Sequence, residues 1–149
     1  MTPATHSTAL PTAESRMMTA IHVAVGIVIN DKNQILIAKR PNKLHQGGLW
    51  EFPGGKLEQG ETVQQALFRE FQEEVAINLL VVEPFMEIHH DYGDKQVFLD
   101  VWLSRQFEGL AKGMEGQVVK WVSMADLMQY SFPEANKVIV HKLQQSRLK

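Results

Sequence analysis

A chain of 149 residues, 44% hydrophobic and 21% charged, is long enough for one domain with a sizeable core and ordinary in make-up for a globular protein. Its net charge of −2, with no Lys/Arg run, argues against an electrostatic grip on duplex nucleic acid. The lack of cysteine excludes disulfides, a thiol nucleophile and a Cys-based zinc site, and no apolar run approaches the length of a membrane span.

Residues 1–17 are rich in Thr, Ala, Ser and Pro and have little to bury, so they read as a disordered tail before a single domain over residues 18–149. The tail has neither the basic n-region nor the apolar h-region of a secretory signal, which makes a cytoplasmic location the expectation. Translation from Met17 or Met18 would still give the whole domain. Residues 20–30 are β-branched, and the turn at Asp31–Asn33 leads into a return strand over residues 34–40, so the pair reads as a hairpin. A loop follows, then a short strand over residues 49–52. The stretch Pro53-Gly54-Gly55 reads as a turn whose glycines let backbone approach a metal or phosphate closely.

Thr62 and Gln65 stand at the spacing of a capping box, and strong helix formers continue to about Val75. On a helical wheel the apolar stripe holds Val63, Ala66, Leu67, Phe71 and Val75, and Gln65, Arg69 and Gln72 take the wet face. Glu70, Glu73 and Glu74 fall inside or beside the apolar stripe. Acids at i, i+3 and i+4 repel one another, and partial burial makes each charge more costly. One reading is a solvated acidic face. The other is a site for a divalent cation, and oxygen-only ligands suit Mg²⁺ or Mn²⁺.

Residues 78–91 and 95–107 are β-rich and flank Tyr92-Gly93-Asp94, a second hairpin signal. A glycine-containing loop over residues 108–116 precedes a strand over residues 118–122. Ser123 and Asp126 can cap a short helix to about Gln129. Ser131 and Glu134 then open the terminal helix, with Pro133 in its first turn and an apolar stripe of Val138, Ile139 and Leu143. The pattern alone gives an α+β or α/β mixed sheet with the two long helices on different sides. His89 and His90 are neighbours on a strand and point to opposite faces, a poor geometry for joint ligation; they read, like His22 and His45, as surface or half-buried residues. Trp50, Trp102 and Trp121 read as core.

Gly55, Glu61, Arg69, Glu70, Phe71, Glu73, Glu74 and Ile77 stand in the order of the Nudix box, G-x5-E-x7-R-E-U-x-E-E-x-G-U, with U aliphatic or aromatic. The chain thus resembles the Nudix family. The stretches AVGIVIN, LWEFPGGKLEQGE, EGQ (115–117) and FPEAN (132–136) extend the similarity to its MutT-type members. One position departs: the late glycine, which closes the helix in the family, is Ala76. A left-handed Ala there costs roughly 1 kcal/mol and leaves the side-chain chemistry intact.

The resemblance implies an α/β/α sandwich with a mixed β-sheet and the metal-dependent hydrolysis of nucleoside triphosphates to monophosphate and pyrophosphate. It also implies a preference for oxidised guanine nucleotides such as 8-oxo-dGTP. The metal implied is Mg²⁺, with Mn²⁺ able to substitute, held by Glu70, Glu73, Glu74, a carbonyl of Gly54 or Gly55, and Glu115. Either Glu70 or Glu115 is the base. Arg69 holds the carboxylates in position, and Glu61 supports the loop or an outer metal shell. Arg40 and Asn136 match nucleotide-pocket residues, Phe52 lines that pocket or belongs to the core, and Lys56 could face a phosphate. Lys95 stands where MutT-type enzymes have an arginine. The Asn136 amide carries donors and an acceptor together, which suits the O6/N7 edge of an oxidised guanine, whose N7 is a donor. The expected partner is a small nucleotide, and the protein is expected to act as a monomer. The alternatives are another nucleotide or dihydroneopterin triphosphate as substrate, or a non-catalytic module sensing oxidised guanine, which would lack the carboxylate cluster.

Overall fold

The computed structural model describes residues 20–40 and 48–146; the expected tail over residues 1–17 and His45 lie outside them. Strand β1 (Ile21–Val28) is buried on both faces. Val25 and Ile27 enter one apolar core, and Ala24 and Val28 enter another. That is why its sequence reads as a continuous β-branched run without polar alternation. One edge of β1 pairs antiparallel with β4 (Gly54–Lys56), and the other pairs parallel with β6 (Gln96–Glu108). β6 forms a long hairpin with β5 (Asn78–Asp91), closed where the Tyr92 N–H donates to the Lys95 carbonyl at 2.9 Å. The mixed sheet therefore runs β4-β1-β6-β5. A second, antiparallel sheet runs β3-β2-β7, with β2 (Gln34–Lys39) between β3 (Trp50–Glu51) and β7 (Val119–Ser123).

The strands depart from expectation at two places. β1 and β2 do not pair as a hairpin along their length: they belong to different sheets and are joined near the turn by the bridge between Ile29 and Ile35 and by the Asn30 N–H on the Gln34 carbonyl at 3.0 Å. Both edges of β1 are already taken by β4 and β6, so β2 turns away and pairs elsewhere. Gly54-Gly55 is also not a turn. It is the start of extended β4, with Ala24 opposite Gly55 and Val25 opposite Gly54.

Helix α1 (Val63–Val75) begins on the expected capping box: Gln65 N–H donates to Thr62 Oγ1 at 3.1 Å, and Thr62 N–H donates to Gln65 Oε1 at 2.9 Å. Ala66, Leu67, Phe71 and Val75 are buried against one face of the mixed sheet, and Val63 is partly buried beside them. The helix ends on Ala76, left-handed at φ 61° and ψ 30°. After β7 a 3-10 helix spans Met124–Gln129, with no side-chain cap from Ser123.

Helix α2 (Glu134–Ser146) covers the opposite core through Ala135, Ile139, Val140 and Leu143. Its start differs from the expected Ser131 cap. The Pro133 carbonyl accepts from Asn136 N–H at 2.9 Å and Lys137 N–H at 3.1 Å, so Pro133 precedes the helix. Val138 is 46% exposed, because the buried stripe is centred on Ile139 and Leu143 and Val140 takes the place expected for Val138. Helices on both faces give the α/β/α layering. Among the described residues no helix is long and apolar enough to cross a membrane.

Candidate active site

The anchoring of α1 by Leu67 and Phe71 sets which way its acids point. Glu70 lies against β4, and a Cβ added at Gly55 would overlap its carboxyl group. A side chain at this position would push the acid off the strand, and glycine lets it lie flat there.

Arg69 departs from the wet face expected for it: its side chain is only 21% exposed. The guanidinium grips Glu61 with two bonds, Nε to Oε2 at 2.7 Å and Nη2 to Oε1 at 2.9 Å. Nη1 donates to Glu70 Oε2 at 2.8 Å and to Glu73 Oε1 at 3.3 Å, and Nη2 reaches the Lys56 carbonyl at 3.1 Å. The planar fork of arginine suits this bidentate grip. The Arg69 bonds, with a further one from the Glu58 N–H, hold the Glu61 carboxyl down at about 2. Glu61 in return raises the Arg69 guanidinium above its ordinary value. The pair clamps the loop before α1 to the helix.

Glu74 behaves in the opposite way. Burial pushes its carboxyl up to about 9, helped by a hydrogen bond to Glu70 and by the charges of Glu70, Glu51 and Glu115. A half-buried acid facing three others calls for positive charge, and an all-oxygen donor set fits a hard divalent cation. Glu73 remains 60% exposed, and Glu115 sits on an exposed loop. Among the described residues no three Asp, Glu or His side chains converge as they stand on one point. The fold therefore brings Glu70 and Glu74 together, sets Glu51 and Glu115 within electrostatic reach of Glu74, and leaves Glu73 at the edge.

A cleft of about 410 Å³ opens beside this cluster. Gly54, Gly55, Glu74 and Glu115 form part of its lining. Arg40, Phe52 and Asn136 line it as well, so residues far apart in sequence share one cavity. Phe52 is both core and wall: it is 3% exposed and stacks on Phe132 with ring centroids 5.2 Å apart. Asn136 is half-buried in the first turn of α2. Arg40 Nη1 bonds Glu51 Oε1 at 2.8 Å. Lys56 and Lys95 also line the cleft and add positive charge to it.

Sequence reading passed over Glu51, Tyr92 and Gln117, which line the same cleft. The signal for Glu51 was an acid set between Trp50 and Phe52 on a strand, and for Gln117 it was the nearness of Glu115. Among the described residues no histidine lines this cleft. His22 bonds Asp100 at 2.9 Å, His22 and His89 each stack on Phe98, and His90 packs edge-on against Tyr92.

A family model for the NUDIX domain matches residues 24–142. The 8-oxo-dGTP diphosphatase of Escherichia coli (strain K12) is 40% identical over 126 residues, which cover 85% of this chain and 98% of that protein. The CTP pyrophosphohydrolase of the same organism is 35% identical over 119 residues, 80% of this chain and 87% of that protein. A MutT structure from a study of the Aliivibrio salmonicida and Vibrio cholerae proteins superposes with a TM-score of 0.76 at 41% identity, covering 85% of this chain and 98% of that one.

Proposed function

This chain belongs to the Nudix family, and on that premise we propose that it hydrolyses 8-oxo-dGTP to 8-oxo-dGMP and pyrophosphate, clearing oxidised guanine from the nucleotide pool. It is a nucleoside triphosphate diphosphatase, as its similarity to 8-oxo-dGTP diphosphatases along most of its length supports. The observation that carries the reading is one cleft lined both by the box residues Gly55 and Glu74 and by Arg40, Phe52 and Asn136.

Nudix hydrolases depend in general on a divalent metal, and we take Mg²⁺ to be the ion here, with Mn²⁺ able to replace it. Glu70, Glu73, Glu74 and Glu115, with a carbonyl of Gly54 or Gly55, would hold it. Bound there, the ion would supply charge neutralisation for the phosphates and would lower the pKa of the attacking water. Arg69, locked to Glu61, keeps Glu70 oriented. Glu70 or Glu115 takes the proton from water. Phosphoryl chemistry needs placement and charge neutralisation more than a covalent intermediate, and the site offers acids and no thiol. Arg40 and Phe52 bound the nucleoside pocket, and the Asn136 amide accepts from N7–H and donates to O6 of the oxidised base. A single domain over residues 18–149, acting as a monomer in the cytoplasm, completes the reading. CTP hydrolysis is the second reading, favoured by the 35% identity to a CTP pyrophosphohydrolase.

Attack on the β-phosphorus forms its bond to water oxygen and breaks its bond to the oxygen bridging to the α-phosphorus, which leaves with the monophosphate. Hydrolysis in ¹⁸O-water should therefore label pyrophosphate and leave 8-oxo-dGMP unlabelled by mass spectrometry. Label in the monophosphate, or orthophosphate as the first product, would contradict this site of attack.

A further inference from the structure

The loop that carries Glu115 has few apolar anchors, since Glu115 and Met114 are both exposed. It is held by polar bonds to the C-terminal carbonyls of α1. Lys112 N–H donates to the Val75 carbonyl at 3.0 Å, and Met114 N–H donates to the Glu74 carbonyl at 2.9 Å. A tight turn follows, closed by Gly116 N–H on the Gly113 carbonyl at 3.1 Å. Gln117 completes the arrangement. Its side-chain Nε2 donates to the Glu74 carbonyl at 3.2 Å, and its Oε1 accepts the Glu115 N–H at 2.8 Å. The Gln117 backbone packs so closely on Gly113 that a Cβ there would overlap the Gln117 carbonyl. One amide thus joins the backbone of Glu74 to the backbone of Glu115. Only an amide supplies a donor at one end and an acceptor at the other in this geometry. A carboxylate would repel the Glu74 carbonyl, and an apolar side chain would release both groups.

We propose that Gln117 is a positioning residue that fixes Glu115 against Glu74 and so sets the placement of the loop acid in the cluster. This rests on the reading of Glu115 as part of the reactive site. Outer residues that orient a metal-binding acid are typically worth 10- to 100-fold in affinity or activity.

The test uses Gln117→Ala and Gln117→Glu in the full-length protein and in a Glu115→Gln background. In the metal-free protein, hydrogen exchange at the Glu115 amide should quicken about 3- to 10-fold in Gln117→Ala. Mn²⁺ affinity, followed by electron paramagnetic resonance, should fall about tenfold, as should kcat/KM for 8-oxo-dGTP. In the Glu115→Gln background the further loss in kcat/KM should stay below about twofold, because the residue Gln117 acts through is already disabled. Gln117→Glu, whose carboxylate would repel the Glu74 carbonyl, should lose kcat/KM for 8-oxo-dGTP at least as far as Gln117→Ala. Unchanged Glu115 exchange, or the same fold-loss in both backgrounds, would overturn the proposal. A wild-type protein that exchanges as described yet does not hydrolyse 8-oxo-dGTP would sink the functional reading while leaving the positioning role supported.

Discussion

At the scale of single residues the site is a contrast between two acids. Arg69 holds the Glu61 carboxyl down at about 2, whereas burial and neighbouring acids push the Glu74 carboxyl up to about 9 in the metal-free site. The two have opposite consequences for pH. Glu61 adds stability that is full above its ordinary value of 4.5 and is lost as pH falls from there toward 2. Glu74 is favoured protonated in the folded state, so its contribution is full below 4.5 and is lost as pH rises toward 9. In EDTA, Glu74→Gln should therefore melt higher than the wild type at pH 8 and flatten the decline between pH 5 and 9, while losing activity by orders of magnitude with Mg²⁺ present. Parallel melting curves for the two proteins across that range would contradict the buried, proton-bearing Glu74. At the base end, Asn136→Ala should weaken binding of 8-oxo-dGMP by about 1–3 kcal/mol, roughly 5- to 150-fold, in a calorimetric titration. An equal loss for an unoxidised nucleotide would leave Asn136 as a support for the pocket, with no part in reading the base. The acids of α1 were legible because a helical wheel fixes their phase. The wheel alone set Arg69 on the wet face, since its partner Glu61 lies eight positions earlier, outside the helix, and only the family resemblance pointed it at the carboxylates.

At the scale of elements, local codes were legible and non-local pairing was not. The capping box at Thr62 and the hairpin at Tyr92 depend on neighbours in sequence and formed as expected. The hairpin expected of β1 and β2 failed because β1's true partners, β4 and β6, come from distant segments that no local pattern announces. β4 was hidden because Gly54-Gly55 has turn composition, yet its lack of side chains lets Ala24 and Glu70 approach closely. The close of α1 gives a direct test of element energetics. Ala76 is left-handed, a conformation that burdens any residue with a Cβ. Ala76→Gly should raise unfolding free energy by about 1 kcal/mol in urea with the slope unchanged. A loss of stability would show that the greater freedom of glycine in the unfolded chain outweighs the relief of strain.

At the scale of the whole molecule, the fold brings several separated segments, the Glu115 loop among them, to one cavity. Box residues arrive on α1 and β4, Arg40 and Phe52 flank the short strands of the second sheet, and Asn136 comes from the start of α2. Each segment resembled the Nudix pattern in isolation, but composition could not show that Glu51 would stand between them, bonded to Arg40 and acting on Glu74. On the proposed reading one set of cleft residues reads the base while the acids attend to the phosphate chain, which would place selectivity in kcat/KM. The decisive measurement is therefore kcat/KM for 8-oxo-dGTP against dGTP and CTP under the same Mg²⁺ concentration. Nucleotide-pool cleansing predicts a value for 8-oxo-dGTP well above both others, whereas comparable values for dGTP and its 8-oxo form, or a higher one for CTP, would contradict it.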